Sequence, residues 1–128
     1  MAEEKQDGFF RRIFEGSPAA IIVVAPDFQI SDANVAAERM FGRGLHQLRD
    51  SQLSQFVAHS DQAAFAGIRT DIENQDGCVA RPLLLRLPDE TECDVSLNAA
   101  VIRDEGGGTQ FILVTLVERG KSISQDLL

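Results

Sequence analysis

Two histidines, two cysteines and twenty carboxylates are the side chains here that could carry out chemistry. His46 falls in a short, broken stretch and His59 just ahead of a helical one. Neither lies within the helix expected over residues 61–74, and a surface or capping role suits both. Cys93 falls on the inward phase of an alternating strand, where a thiol acts as a small core residue. Cys78 sits beside Gly77 in a turn, where exposure would leave a redox role open. Two cysteines make neither a disulfide framework nor a metal knuckle. Two His and scattered Ser form no nucleophile-base signature, and "EGGGT" at 105–109 lacks the lysine and following helix of a phosphate loop. The carboxylates fall in loops or on solvent phases of strands. The domain itself therefore reads as non-catalytic.

Charge narrows the partners. The formal net charge is −8, and the basic residues occur singly or as the pair Arg11-Arg12. Phosphate backbones need clustered Lys and Arg, and an acidic lipid surface repels such a chain, so neither nucleic acid nor membrane contact is expected. The longest apolar run, "AAIIVVA" at 19–25, is far too short to span a bilayer. "MAEEKQDG" is acidic and polar, unlike a secretory leader. With 44% apolar and 25% charged residues in 128, the composition is that of one soluble domain in a reducing cytoplasm. A small molecule, another protein, or both remain as partners.

The elements that position these side chains follow from periodicity. Residues 8–16, "GFFRRIFEG", place Phe9, Phe10, Ile13 and Phe14 on one helical stripe, which either packs on its own domain or seeks a second copy. "AAIIVVA" is β-branched and apolar throughout, as in a central strand buried on both faces. Pro26-Asp27 turns the chain into "FQISDA", a half-exposed strand, so the two form a hairpin. At Asn34 the period changes from two to that of a helix. Asn is a favoured N-cap, and Gly42 or Gly44 can close the helix in the left-handed conformation. Residues 45–58 read as short helical turns. Ser60 or Asp61 then caps a longer helix with Phe65, Ile68 and Ile72 on one face.

Three strands complete the chain: "RPLLLRL", the cleanly alternating "ECDVSLNAAVI", and the almost wholly apolar "QFILVTLVE". The loop "DEGGG" joins the last two as a hairpin. Helices between two sets of strands imply an α+β domain with helices on one face of an antiparallel sheet. Residues 1–8 read as a flexible lead, 9–119 as the domain and 120–128 as a polar tail or linker stub.

The chain resembles a PAS domain, a sensory module of bacterial signalling proteins. "FEGSPAAIIVVAPDFQISDANVAAERMFG" is similar to the family's opening hairpin and Asn-led helix, "FVAHSDQAAF" to its step into the long helix, and "PDETECDVSLNAAVIRDEGGGTQFILVTLVER" to its closing hairpins. The resemblance spans residues 9–121. It implies a five-stranded antiparallel sheet with helices on one face, preceded here by an amphipathic helix. It also implies a cavity for haem, a flavin or a metabolite, or dimerisation alone, with the change passed to an attached effector such as a histidine kinase or transcription regulator. Two departures stand out. The family's Asp-x-Thr-Glu-Arg ending is Thr115, Leu116, Val117, Glu118, Arg119 here, which puts the usual polar relay in doubt. Its Asp-Gly turn is Asp89-Glu90, pointing to a different turn type.

The resemblance places a candidate ligand cavity between Val95, Leu97 and Ala99 on one strand, Phe111, Leu113 and Thr115 on the last, and Phe56, Phe65 and Ile68 opposite. Small Ala99 and polar Thr115 offer space and an anchor. A filled core and an occupied pocket both fit these residues. Blue-light flavin relatives carry Asn-Cys-Arg before the long helix, and this chain does not. Flavin held without photochemistry would have to stack on Phe, since Trp and Tyr are absent. A cofactor-free module is the primary expectation and a haem- or flavin-carrying redox or gas sensor the alternative. The stripe of Phe9, Phe10, Ile13 and Phe14 is the candidate interface of a homodimer.

Overall fold

The computed structural model describes residues 2–74 and 78–121. The elements are α1 (Ala2–Gly16), β1 (Ala20–Val24), β2 (Ile30–Ala33), α2 (Val35–Phe41), α3 (Leu45–Leu48), two 3₁₀ turns (Leu53–Phe56 and His59–Asp61), α4 (Gln62–Asn74), β3 (Cys78–Arg86), β4 (Glu92–Arg103) and β5 (Thr109–Lys121). Helix α1 starts ahead of the boundary expected at residue 8, and β5 runs into the expected tail, whose residues 122–128 lie outside the described ones.

The five strands form one antiparallel sheet in the order β2-β1-β5-β4-β3. The long apolar β5 is central, as its composition demands. Strand β1 beside it is less enclosed than expected. Ala20, Ile22 and Val24 are buried, whereas Ile21 and Val23 on the other face are half-buried. A loop meets each sheet edge at one point, which interrupts the row of free backbone groups there. Ala58 donates to the Leu84 carbonyl at 2.9 Å on the β3 edge, and Ile30 donates to the Ser51 carbonyl at 3.0 Å on the β2 edge. Pro82 sits on edge strand β3, where a missing N–H is tolerated.

The core fills the space between the sheet and the helices. Phe28 and Phe65 meet edge-to-face at 5.6 Å, and Phe41 and Phe56 lie 4.7 Å apart. Phe28 holds a left-handed φ of 69° so that its ring can drop from the β1–β2 turn into this layer. That conformation costs about 1–2 kcal/mol for a non-glycine residue. Its complete burial, worth about 1.5–3 kcal/mol, offsets the strain. Arg69 from α4 lies 4.7 Å over the same ring and holds it from the solvent side.

The turn at Asp89-Glu90 is closed by two backbone hydrogen bonds and needs one left-handed residue. Glu90 donates to the Leu87 carbonyl at 2.8 Å, Leu87 to that of Thr91 at 2.9 Å, and Glu90 itself takes a φ of 71°. A glutamate occupies the left-handed position that glycine fills without strain.

Candidate functional site

The alternation on β4 is as expected: Cys93, Val95, Leu97 and Ala99 are buried and Val101 half-buried. On β5 the phase is the reverse of the expected one. Antiparallel partners share a face, and Leu97 pairs with Leu116, Ala99 with Val114 and Val101 with Ile112. The inward set is therefore Ile112, Val114 and Leu116. Phe111, Leu113 and Thr115 lie on the opposite face, half-buried, opposite Ile102, Ala100 and Asn98. A one-residue slip moves every side chain across a sheet.

The structure thus brings six of the expected cavity residues together: Phe56, Phe65, Ile68, Val95, Leu97 and Ala99 belong to one buried cluster. It excludes Phe111, Leu113 and Thr115 from that cluster. Thr115 cannot anchor anything inside. Phenylalanine rings occupy the middle of the interior, and both histidines are exposed, so neither turns an imidazole inward as an axial ligand for haem. The residues present do not fit that group. Among the described residues no group of three His, Cys, Asp or Glu side chains gathers to hold a metal. The side chain of Cys78 lies outside the described ones.

Asn34 does more than cap. Its Oδ1 accepts from Ala37 at 2.9 Å, the expected N-cap bond, and from Ile21 of β1 at 2.9 Å. Its Nδ2 donates to the carbonyls of Phe14 and Ala19, both at 2.9 Å. One fully buried amide uses its whole hydrogen-bonding capacity to join the end of α1, the start of β1 and the start of α2. Gly42 closes α2 with a φ of 66°, as expected.

Asp61 has a role that the sequence did not reveal. Expected as a helix cap, it instead accepts from the Leu84 N–H at 2.8 Å and so clamps the step into α4 onto edge strand β3. Nothing in its local sequence distinguishes the two uses, because both require a short carboxylate just before a helix.

Helix α1 carries the exposed apolar surface. Phe9, Phe10 and Ile13 are 54%, 64% and 54% exposed, while Phe14 is half-buried under Arg11. Besides the Asn34 bond, α1 is held by Arg11 Nη2, 3.1 Å from Asp32 Oδ2. Asp32 pairs with Val23, so this contact lies on the outer face of the sheet. On that face Ile102 and Val117 are also exposed. No helix among the described residues is long and apolar enough to cross a membrane.

Comparison with known proteins agrees with this geometry. The sequence profile of the PAS fold matches residues 8–117. The structure is similar to that of a PAS domain from a two-component sensor histidine kinase, with a TM-score of 0.75 at 18% identity over 91% of this chain and 99% of that one. It is also similar to the PAS domain of a Colwellia psychrerythraea protein, with a TM-score of 0.79 at 18% identity over 90% and 95%. An RNA-binding light-oxygen-voltage receptor gives a TM-score of 0.81 at 21% identity, over 94% of this chain but 35% of the receptor. At these identities the likeness is one of fold. No curated protein matches the sequence. A profile spanning nearly the whole chain, over a five-stranded sheet with the Asn-capped corner in place, settles the family: the chain belongs to the PAS fold family.

Proposed function

We propose that this PAS sensory domain works as a dimerisation and relay module of a cytoplasmic bacterial signalling protein, a histidine kinase or a transcription regulator. The exposed stripe of Phe9, Phe10 and Ile13 is the observation that carries the reading. Apolar side chains this large, grouped on one helix, mark a protein-binding surface. The partner is a second copy, whose own α1 and outer sheet face supply matching apolar surface around Phe111, Leu113 and Val117. Phe14 faces the domain and ties the stripe to it. Asn34 links α1 to both β1 and α2, so a shift of α1 in the dimer reaches the core and, through β1, its neighbour β5 on the way to an effector. The inner residues Phe56, Phe65, Ile68, Val95, Leu97 and Ala99 act in this reading as a packed core that transmits the shift.

Sedimentation velocity tests it. The intact chain sediments as a dimer, and a variant with Phe9→Ser, Phe10→Ser and Ile13→Ser as a folded monomer. A monomer in both removes the dimer. An absorption spectrum after reconstitution with haem and with flavin is expected to show neither a Soret nor a flavin band; either band would reinstate the cofactor-carrying alternative.

A further inference from the structure

A cleft of about 650 Å³ opens where the end of α1, the start of α2 and the end of β5 meet, outside the packed interior. Leu87 and Leu116, both buried, line it together with half-buried Met40. Three charged side chains, Glu15, Arg39 and Glu118, share the same lining. Glu15 Oε1 is shut off from solvent and has no hydrogen-bond donor among the described residues. An acceptor in that state costs stability until a donor reaches it. Glutamate's terminal torsion is soft, so a small turn presents this oxygen to the cleft. Arg39 is exposed and has no acceptor among the described residues. Its planar fork matches a carboxylate.

We propose that this cleft binds a small zwitterion, an amino acid with a large apolar side chain. Its ammonium donates to Glu15, its carboxylate accepts from Arg39, and its side chain lies on Leu87, Leu116 and Met40. A cleft of this size, with charged groups of opposite sign on its walls above a small apolar floor, suits such a ligand. The position gives the binding a consequence. Glu15 belongs to α1 and Leu116 to β5, so an occupied cleft bridges the first helix and the last strand. The site does not depend on dimerisation, and its test is separate from sedimentation.

Calorimetric titration of the intact chain with L-phenylalanine, 2-phenylethylamine (no carboxylate) and 3-phenylpropionate (no ammonium) decides the matter. L-Phenylalanine is expected to bind, and each truncated compound about ten-fold more weakly or worse, as for loss of one charge-assisted hydrogen bond. Glu15→Gln is expected to weaken L-phenylalanine and 2-phenylethylamine but not 3-phenylpropionate. Arg39→Gln should do the converse. Amide shifts on titration should gather at Ala20, Arg39 and Val117. Absence of L-phenylalanine binding at millimolar concentration overturns the site. So does binding that neither variant changes, or shifts that gather at Phe65 and Leu97. Should Glu15→Gln lose its circular dichroism melt, Arg39→Gln still decides, because its exposed side chain supports no fold contact among the described residues.

Discussion

On β5, Ile112, Val114 and Leu116 are buried beneath the helices, whereas their alternating neighbours Phe111, Leu113 and Thr115 keep part of their surface open to solvent. Both sets belong to one strand and are almost equally apolar. The difference lies in what covers them. The inner set faces Phe28, Phe41, Phe56 and Phe65, which close over it. The outer set lies between neighbouring strands, and α1 reaches that face through the Arg11–Asp32 contact. One face is finished within a single chain; the other has apolar surface to spare.

Four substitutions break or sharpen that contrast. Asn34→Ala acts at the joint between α1 and the inner layer. It removes a helix cap and leaves buried groups at Ile21, Phe14 and Ala19 without partners, so urea unfolding should show a loss of about 4 kcal/mol. Leu97→Ala opens a hole in the inner face and should cost about 3 kcal/mol in the same measurement. Leu113→Ala, the matching truncation on the outer face, should cost about 1 kcal/mol in dilute protein. Its cost should rise with protein concentration if a second copy covers the face. An equal penalty for Leu97→Ala and Leu113→Ala, independent of concentration, would erase the distinction. Glu90→Gly lies on neither face and relieves the left-handed turn, so it should raise the thermal midpoint, by about 0.5 kcal/mol in free energy.

Much of the fold was legible in the sequence because the strongest signals were local. Asn34 marked the strand-to-helix corner, Gly42 its end, and the alternation of β4 gave the right face. Strand β5 was misphased because "FILVTLV" is apolar at almost every position, so nothing in its period identifies the inward side. Thr115, the one polar residue within that run, suggests an anchor by its type but marks the wetter face. Hydrogen bonds between distant segments, such as Asp61 to Leu84 and Asn34 to Phe14, leave no periodic trace, and the cleft beside Glu15 exists only once three elements have come together.

The side-chain amide of Asn34 is a rigid plane with two contacts on each polar atom. A displacement of the end of α1 therefore pulls on the same side chain that caps the first turn of α2. A single amide thus makes the exit of α1 and the entry of α2 one joint.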